Sequence, residues 1–290
     1  MSTRTATVLP GPETAGEVHS TSRTGPGTLR RRPAPLRRIA YGFLGVLGAL
    51  LAWEALAYLK DDPVILPTVQ DTAHTFVRYL GEHYPANGKT LWQHALVSVA
   101  RISAGWSAGV LLGVAIGGLM ASVRVLRHLI DPLIEITRPL PPLAFIPLFI
   151  VWFGIGETSK FLLILVGVVP IMIIATVTAL DAVPDELVRA SRSLGAGTLR
   201  TLTHVRLRHA LPAIITGMRI AMGGAWTSIV AVELMAATSG LGYLINNAGV
   251  SLQTTLVLSG IVTISILGIV LDGLLRLLHR AVDPTQHHTS

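Results

Sequence analysis

Glu233 stands late in an apolar stretch, WTSIVAVELMAATSGLGYL. A carboxylate inside a segment able to cross a bilayer is expensive and is by default a functional candidate. Three roles are open to it: hydrogen bonding at the outer end of the span, lining a gate or pathway, or touching a solute. An anionic solute weighs against direct contact. Arg101 lies near the outer end of another apolar stretch, where anchoring or pairing suffices. Asp272 and Arg276 are spaced i,i+4 and need only each other. Gly88-Lys89-Thr90 ends like a phosphate loop, but the template G-x-x-x-x-G-K-[ST] requires glycine where the chain has His83. Any use of ATP therefore belongs to a partner chain. The ten histidines are scattered, so no metal site is expected. No Ser/His/Asp arrangement sits in a plausible setting, and no catalytic residue or cofactor is expected. Cysteine is absent, which excludes disulfides and thiol chemistry.

The elements that must position these groups are membrane helices. Of the 290 residues 51% are hydrophobic and 13% charged, against about 25% charged in a soluble domain. Mean hydropathy is +0.60. The pattern predicts an all-α integral membrane protein with six transmembrane helices. Residues 1–38 form a basic, Ser/Thr/Gly/Pro-rich tail of disordered composition. Residues 39–59 form the first span, too long for the roughly 7–15-residue core of a signal peptide. Residues 60–90 are polar and mixed. A core over 91–278 supplies five further helices: 91–121, a span ending near Gly156, 161–180, 214–236 and 254–278. A basic turn (Arg124, Arg127, His128) and an amphipathic piece over 129–137 precede the third span. Residues 181–213 are a polar, arginine-rich connector, 239–253 a Gly/Asn-rich segment, and 279–290 a short tail.

Charge orients the chain. Net charge is +7, but the basic residues flank apolar spans, so nucleic acid is not the expected partner. Six spans place both termini on one side. Sorting the 23 Lys and Arg puts eighteen on that side, leaving Lys60, Arg78, Lys89, Arg101 and Lys160 opposite. The positive-inside rule then predicts a multi-pass plasma-membrane protein with termini and connector in the cytoplasm.

Three motifs shape the interior. Gly105, Gly109, Gly113 and Gly117 recur every four residues, giving one helical face on which another helix can approach closely. Ordinary packing or a sliding, gated interface would each use such a face. Pro139, Pro141 and Pro142 open the third span. They make either a simple helix start or a break lining a pathway, since irregular backbone at membrane depth survives where protein or water satisfies it. In the connector, Pro184 suits a first helical turn and Asp185 and Glu186 its positive end. Gly195 would close that helix after Leu194. A second helix over 198–209 would lead to Pro212. From physics alone this is either a docking surface for a soluble partner or an amphipathic helix on acidic lipid.

At the connector the sequence resembles the permease subunits of bacterial ABC importers. Their signature is Glu-Ala-Ala, three residues, Gly, then Ile-x-Leu-Pro. Gly195 takes the glycine, Ala190 and Ser191 the two alanines, and Arg189 stands where glutamate is expected. Val205 and Leu207 match the apolar pair and Arg208 replaces the proline. Over residues 66–278 the chain is similar to the nitrate/sulfonate/taurine-type subfamily, through Ser98-x-x-Arg101-x-x-x-Gly105, RPLPPLAFIPLFIVWFGIGETSK and AVEL with GLGYLINNA.

The resemblance implies a type I importer permease that does no bond chemistry. A second permease copy, as a homodimer, would enclose the pathway with the first. The helix carrying Pro184, Asp185, Glu186, Arg189, Ala190, Ser191, Leu194 and Gly195 would seat in one of two copies of an ABC ATPase. An extracytoplasmic substrate-binding protein would dock on residues 61–90. Gate candidates are Pro139, Pro141, Pro142, Glu233, Gly240 and Gly242. The subfamily handles small anions such as sulfonates, taurine and nitrate, and also pyrimidine-like precursors. Two other classes stay open. A self-contained secondary transporter would show inverted repeats and buried ion ligands. A membrane scaffold would use its basic face for lipid.

Overall fold

The structure, a computed structural model, describes residues 35–84 and 88–282, with side chains over 40–84 and 88–281. Most of the expected N-terminal tail and the last residues of the C-terminal one lie outside that range. The chain divides into two units inside the first helix, Met1–Ala49 and Leu50–Ser290, and every candidate functional residue belongs to the second.

Helix α1 (Pro35–Lys60) starts four residues ahead of the expected span. The proline falls at a helix start, where its missing N–H is not needed. The mixed segment after it contains α2 (Val69–Gly81), capped by the Thr68 side chain on the Asp71 N–H. Helix α3 (Leu91–Ser122) opens with a reciprocal capping box between Thr90 and Gln93, so the Gly-Lys-Thr triplet is a helix start. Helix α6 (Glu157–Asp181) begins four residues earlier than its apolar run. Helices α10 (Leu241–Val250) and α11 (Thr254–Val282) complete the chain.

The third span departs from expectation. Arg124, Arg127 and His128 form no separate turn; they are the first turns of α4 (Arg124–Thr137). After the prolines come a single 3-10 turn (Pro142–Phe145) and the eight-residue α5 (Ile146–Phe153), bent by 90° from α4. Three prolines in four positions delete backbone donors and push the residues before them to extended angles, so no straight helix can pass. Among the described residues, five helices are long and apolar enough to cross a membrane, or six if the bent pair is one crossing.

The connector also departs in part. Helix α7 (Asp185–Ser193) forms as expected, with Pro184 one residue before it in extended conformation. The separate second helix does not exist. Thr198–Thr201 (α8), a π turn (Leu202–Arg206) and α9 (Leu207–Ala236) run on as one 39-residue span. The Leu207 N–H reaches back to the Leu202 carbonyl, and this wider turn absorbs one extra residue without ending the helix. Pro212 sits inside it.

Helices α3 and α6 pack through the glycine ladder. A Cβ at Gly105, Gly109, Gly113 or Gly117 would lie 2.7, 2.6, 2.4 or 2.8 Å from side-chain atoms of Ile164, Val168, Met172 and Thr176. The partner residues recur every four as well, so two matched ridges interlock at backbone contact. Lipid is as apolar as leucine, so this fit, rather than removal from water, holds the pair. The buried core continues through Leu163, Ile214, Ala221, Ala225 and Ile229, where α9 joins α6.

Candidate functional site

Glu233 is the centre of a buried cluster (1% exposed). Turns of α3 place Ser98 and Arg101 one above the other, facing the last turn of α9. The Ser98 Oγ lies 2.8 and 3.0 Å from the two Glu233 oxygens, and Arg101 Nη1 donates to Oε1 at 2.7 Å. The Gly242 N–H donates to Oε2 at 3.0 Å. Arg101 reaches further, gripping both oxygens of Glu157 at 2.6 and 2.7 Å and the Ser239 carbonyl at 2.6 Å. Lys160 Nζ closes the network on Glu157 at 2.9 Å. The Gly240 N–H donates to His94 Nδ1 at 3.0 Å, and the Leu241 N–H to Ser98 Oγ at 2.9 Å.

Two glycines make the approach possible. Gly240 has φ +117°, and a Cβ there would fall 2.3 Å from the Glu233 carboxylate. A Cβ on Gly242 would fall 2.6 Å from Glu233 Cβ. The cluster therefore ties α3, the start of α6, the end of α9 and the start of α10 into one corner. Glu233 has Arg101 as its opposite charge and Ser98 and Gly242 as neutral donors, Arg101 has two carboxylates and the Ser239 carbonyl, and Lys160 has Glu157, the kind of pairing under which buried charges are tolerable. The carboxylate offers no open face to a solute.

A roomy cavity lies elsewhere. A cavity of about 610 Å³ is walled by α6 from Val166 to Ala182, by α9 from Ala213 to Ile220, and by the break after α4. Gly167, Ala175, Ala179, Ala213 and Gly217 keep its walls thin. Of the six gate candidates Pro142 lines it, while Pro139, Pro141, Glu233, Gly240 and Gly242 do not. Arg138 is its one charged lining residue.

The third region is α7. Asp185 and Glu186 occupy its first turn and Arg192 its last, matching the helix dipole. Gly195 has φ +81°, and its N–H bonds the Arg192 carbonyl while the Ala196 N–H reaches Ser191. This left-handed exit favours glycine. Arg189 makes only a 3.9 Å pair with Asp185, both strongly exposed. Leu194 is 88% exposed and Leu187 41%. Ser191 touches Thr201 at 3.1 Å, and Ala190 accepts from the Ser193 hydroxyl. Behind α7, Arg206 donates to the carbonyls of Leu180 (2.8 Å) and Ala121 (3.3 Å), capping the ends of α6 and α3.

Sequence reasoning singled out Arg101 and Glu233 separately but did not pair them. It missed His94 and Glu157, which look like ordinary polar residues near span ends. It treated Arg138 only as a loop charge. Asp272 pairs with Arg276 as expected, and also with Arg219 across from α9 at 2.9 Å.

Long apolar helices broken by prolines beside a cavity, with an apolar-tipped helix left outside them, describe a transport protein of the membrane. Residues 109–284 match the family of binding-protein-dependent transport system inner membrane components, and the chain belongs to that family. It is 40% identical to the taurine transport system permease protein TauC of Escherichia coli K12, over 86% of this chain and 91% of that one. It is 34% identical to the putative aliphatic sulfonates transport permease SsuC of Bacillus subtilis, over 92% and 95%. It is 27% identical to the nitrate import permease NrtB of Synechococcus elongatus, over 81% and 86%. In fold it is similar to a chain of the inward-facing MetNI methionine ABC transporter, with TM-score 0.55, 22% identity, and coverage of 67% of this chain and 94% of that one. The chain is thus a multi-pass permease subunit of an ABC importer, working with an ATPase and a substrate-binding protein.

Proposed function

We propose that this permease imports a small oxyanion, a sulfonate, taurine or nitrate, and that it does so as a homodimer bound to two ATPase copies. The relatives' cargoes support the anion reading, since taurine, aliphatic sulfonates and nitrate share a compact oxygen-bearing anionic group. Both termini and α7 face the cytoplasm, on the charge sorting. The binding protein docks across residues 61–90, which include α2. ATP is hydrolysed by the partner chain alone.

The observation that carries the coupling reading is α7 with Leu194. This short helix is built around an exposed leucine and a left-handed glycine exit, and it leaves an apolar tip in solvent. Pro184, Asp185, Glu186, Arg189, Ala190 and Ser191 present that tip to a groove of the ATPase. Closure of the ATPases moves α7, the π turn passes the motion into α9, and access switches by rigid-body rotation. The Glu233 cluster, with Gly240 and Gly242, serves as the outer gate. Pro139, Pro141 and Pro142 shape the break that borders the cavity.

The test is reconstitution in vesicles. The permease with its ATPase and loaded binding protein is expected to take up radiolabelled taurine, methanesulfonate or nitrate only with ATP. Uptake by the permease alone would refute the reading, and so would labelling that placed α7 outside the cell.

A further inference from the structure

We infer that Arg138 and Thr178 form an anion-binding station inside the permease, so that cargo selection is shared between this chain and its binding protein. The inference rests on the reading of the chain as an oxyanion permease. The two residues lie on different elements, the end of α4 and the last turns of α6, yet both line the 610 Å³ cavity and the smaller hollow beside it. They therefore share one corner.

The surroundings give that corner its selectivity. The other lining groups are nearly all apolar: Leu140, Pro142, Val166, Ile171, Ile174 and Ile220. Two further hydroxyls are already engaged. Thr137 donates to the Leu133 carbonyl at 2.9 Å and Thr216 to the Pro212 carbonyl at 3.1 Å. The Arg138 guanidinium and the Thr178 hydroxyl have no side-chain partner among the described residues. Asp131 and Glu135 border the smaller hollow. Asp131 pairs with Arg127, and Glu135 makes no ion pair with Arg138. Arg127 and Arg206 pair with Asp181, and Arg219 with Asp272, while Arg124, Arg200 and Arg208 line neither hollow.

One uncommitted guanidinium at an apolar wall is suited to a planar or tetrahedral oxyanion. Its fork offers two parallel donors, and the threonine hydroxyl adds a third. The size of the cavity falls within the roughly 300–1,000 Å³ that small-molecule sites occupy. Both groups are exposed along the cavity, where an entering anion can reach them. In the larger cavity, where Arg138 is the one charged lining residue, a cation would meet a positive charge.

The complete complex, reconstituted with its ATPase and binding protein, is offered radiolabelled taurine, methanesulfonate and nitrate in turn. Arg138→Gln is expected to lower uptake of whichever anion the wild type carries by about tenfold to a hundredfold, while hydrolysis stimulated by loaded binding protein stays within about twofold. Arg138→Lys keeps the charge and loses the fork, and is expected to fall between. Wild-type uptake by Arg138→Gln overturns the station and leaves the oxyanion permease standing. So does a parallel loss of uptake and stimulated hydrolysis, which marks a coupling or folding role. A wild-type complex that hydrolyses ATP yet carries none of the three anions overturns both readings. If Arg138→Gln does not assemble with the ATPase, Arg138→Lys and Thr178→Val decide. Reduced uptake in either, with assembly and stimulated hydrolysis intact, supports the station, and unreduced uptake in both overturns it.

Discussion

The Glu233 cluster and the α7 surface use the same residue types to opposite ends. In the cluster, two carboxylates, an arginine and a lysine satisfy one another within the chain, and Glu233 is buried. On α7, Asp185 and Arg189 stay strongly exposed at 3.9 Å, and Leu194 has solvent on nearly every side. The cluster is complete without a partner. The α7 surface is stable only as local structure, and its apolar tip gains burial when something covers it. A region that must hold a corner of the molecule is over-determined, whereas the region we propose is read by another protein is left open. The stability effects of mutation should therefore concentrate in the first, and the assembly effects in the second.

The largest break in that comparison is Arg101→Ala. It strips Glu233 of its charge partner inside a buried site, a class of change that costs about 3–5 kcal/mol. Thermal unfolding of the detergent-solubilised permease should show the loss, and a melting curve unchanged from wild type would mean the cluster is not a structural tie. Next comes the glycine ladder, which is as finished as the cluster but apolar. Gly113→Val would drive side-chain atoms into Met172 and the Val169 carbonyl, with an overpacking cost of about 1–3 kcal/mol. Gly118→Ala, one position beyond the ladder, meets nothing within 4 Å and serves as the silent control. Equal melting temperatures for the two variants would remove the ladder from the packing argument.

Smaller effects on the fold sharpen the other side. Gly195→Val forces a β-branched residue to φ +81°, a strain of about 1–2 kcal/mol confined to the exit of α7. Membrane insertion should be unaffected, while the yield of ATPase co-purified with the permease should collapse; an unaltered yield counts against α7 as the coupling element. Leu194→Ser is the mildest, expected to alter stability by no more than about 0.5 kcal/mol as an exposed substitution. Its signature is weaker ATPase binding alone, measured by titrating the ATPase onto permease in nanodiscs.

Much of the fold was legible from sequence because its determinants are local. Apolar length predicts the spans from residues 91, 161 and 254, since a bilayer demands about twenty apolar residues in a row. Glycine announced the exit of α7, while the prolines after α4 left a simple helix start and a break equally open. The glycine ladder fixed which face of α3 would accept another helix, though not that Ile164, Val168, Met172 and Thr176 would fill it. Where local signals misled, backbone geometry had an alternative that side chains do not advertise. The π turn at Leu202–Arg206 merged two expected helices, and Pro212 proved tolerable inside the result.

Sequence by itself determined that this chain is a helical membrane protein, resembling importer permeases, and that its arginine-rich connector carries a short helix ending at Gly195. Those facts follow from hydropathy, dihedral preference and motif, each a property of neighbouring residues. Only the tertiary structure decided that Arg101 meets Glu233 across 132 positions and that Arg138 and Thr178 share one corner of a cavity. Which charges are neutralised and which are left free depends on how helices distant in sequence are brought side by side, and no local pattern carries that information.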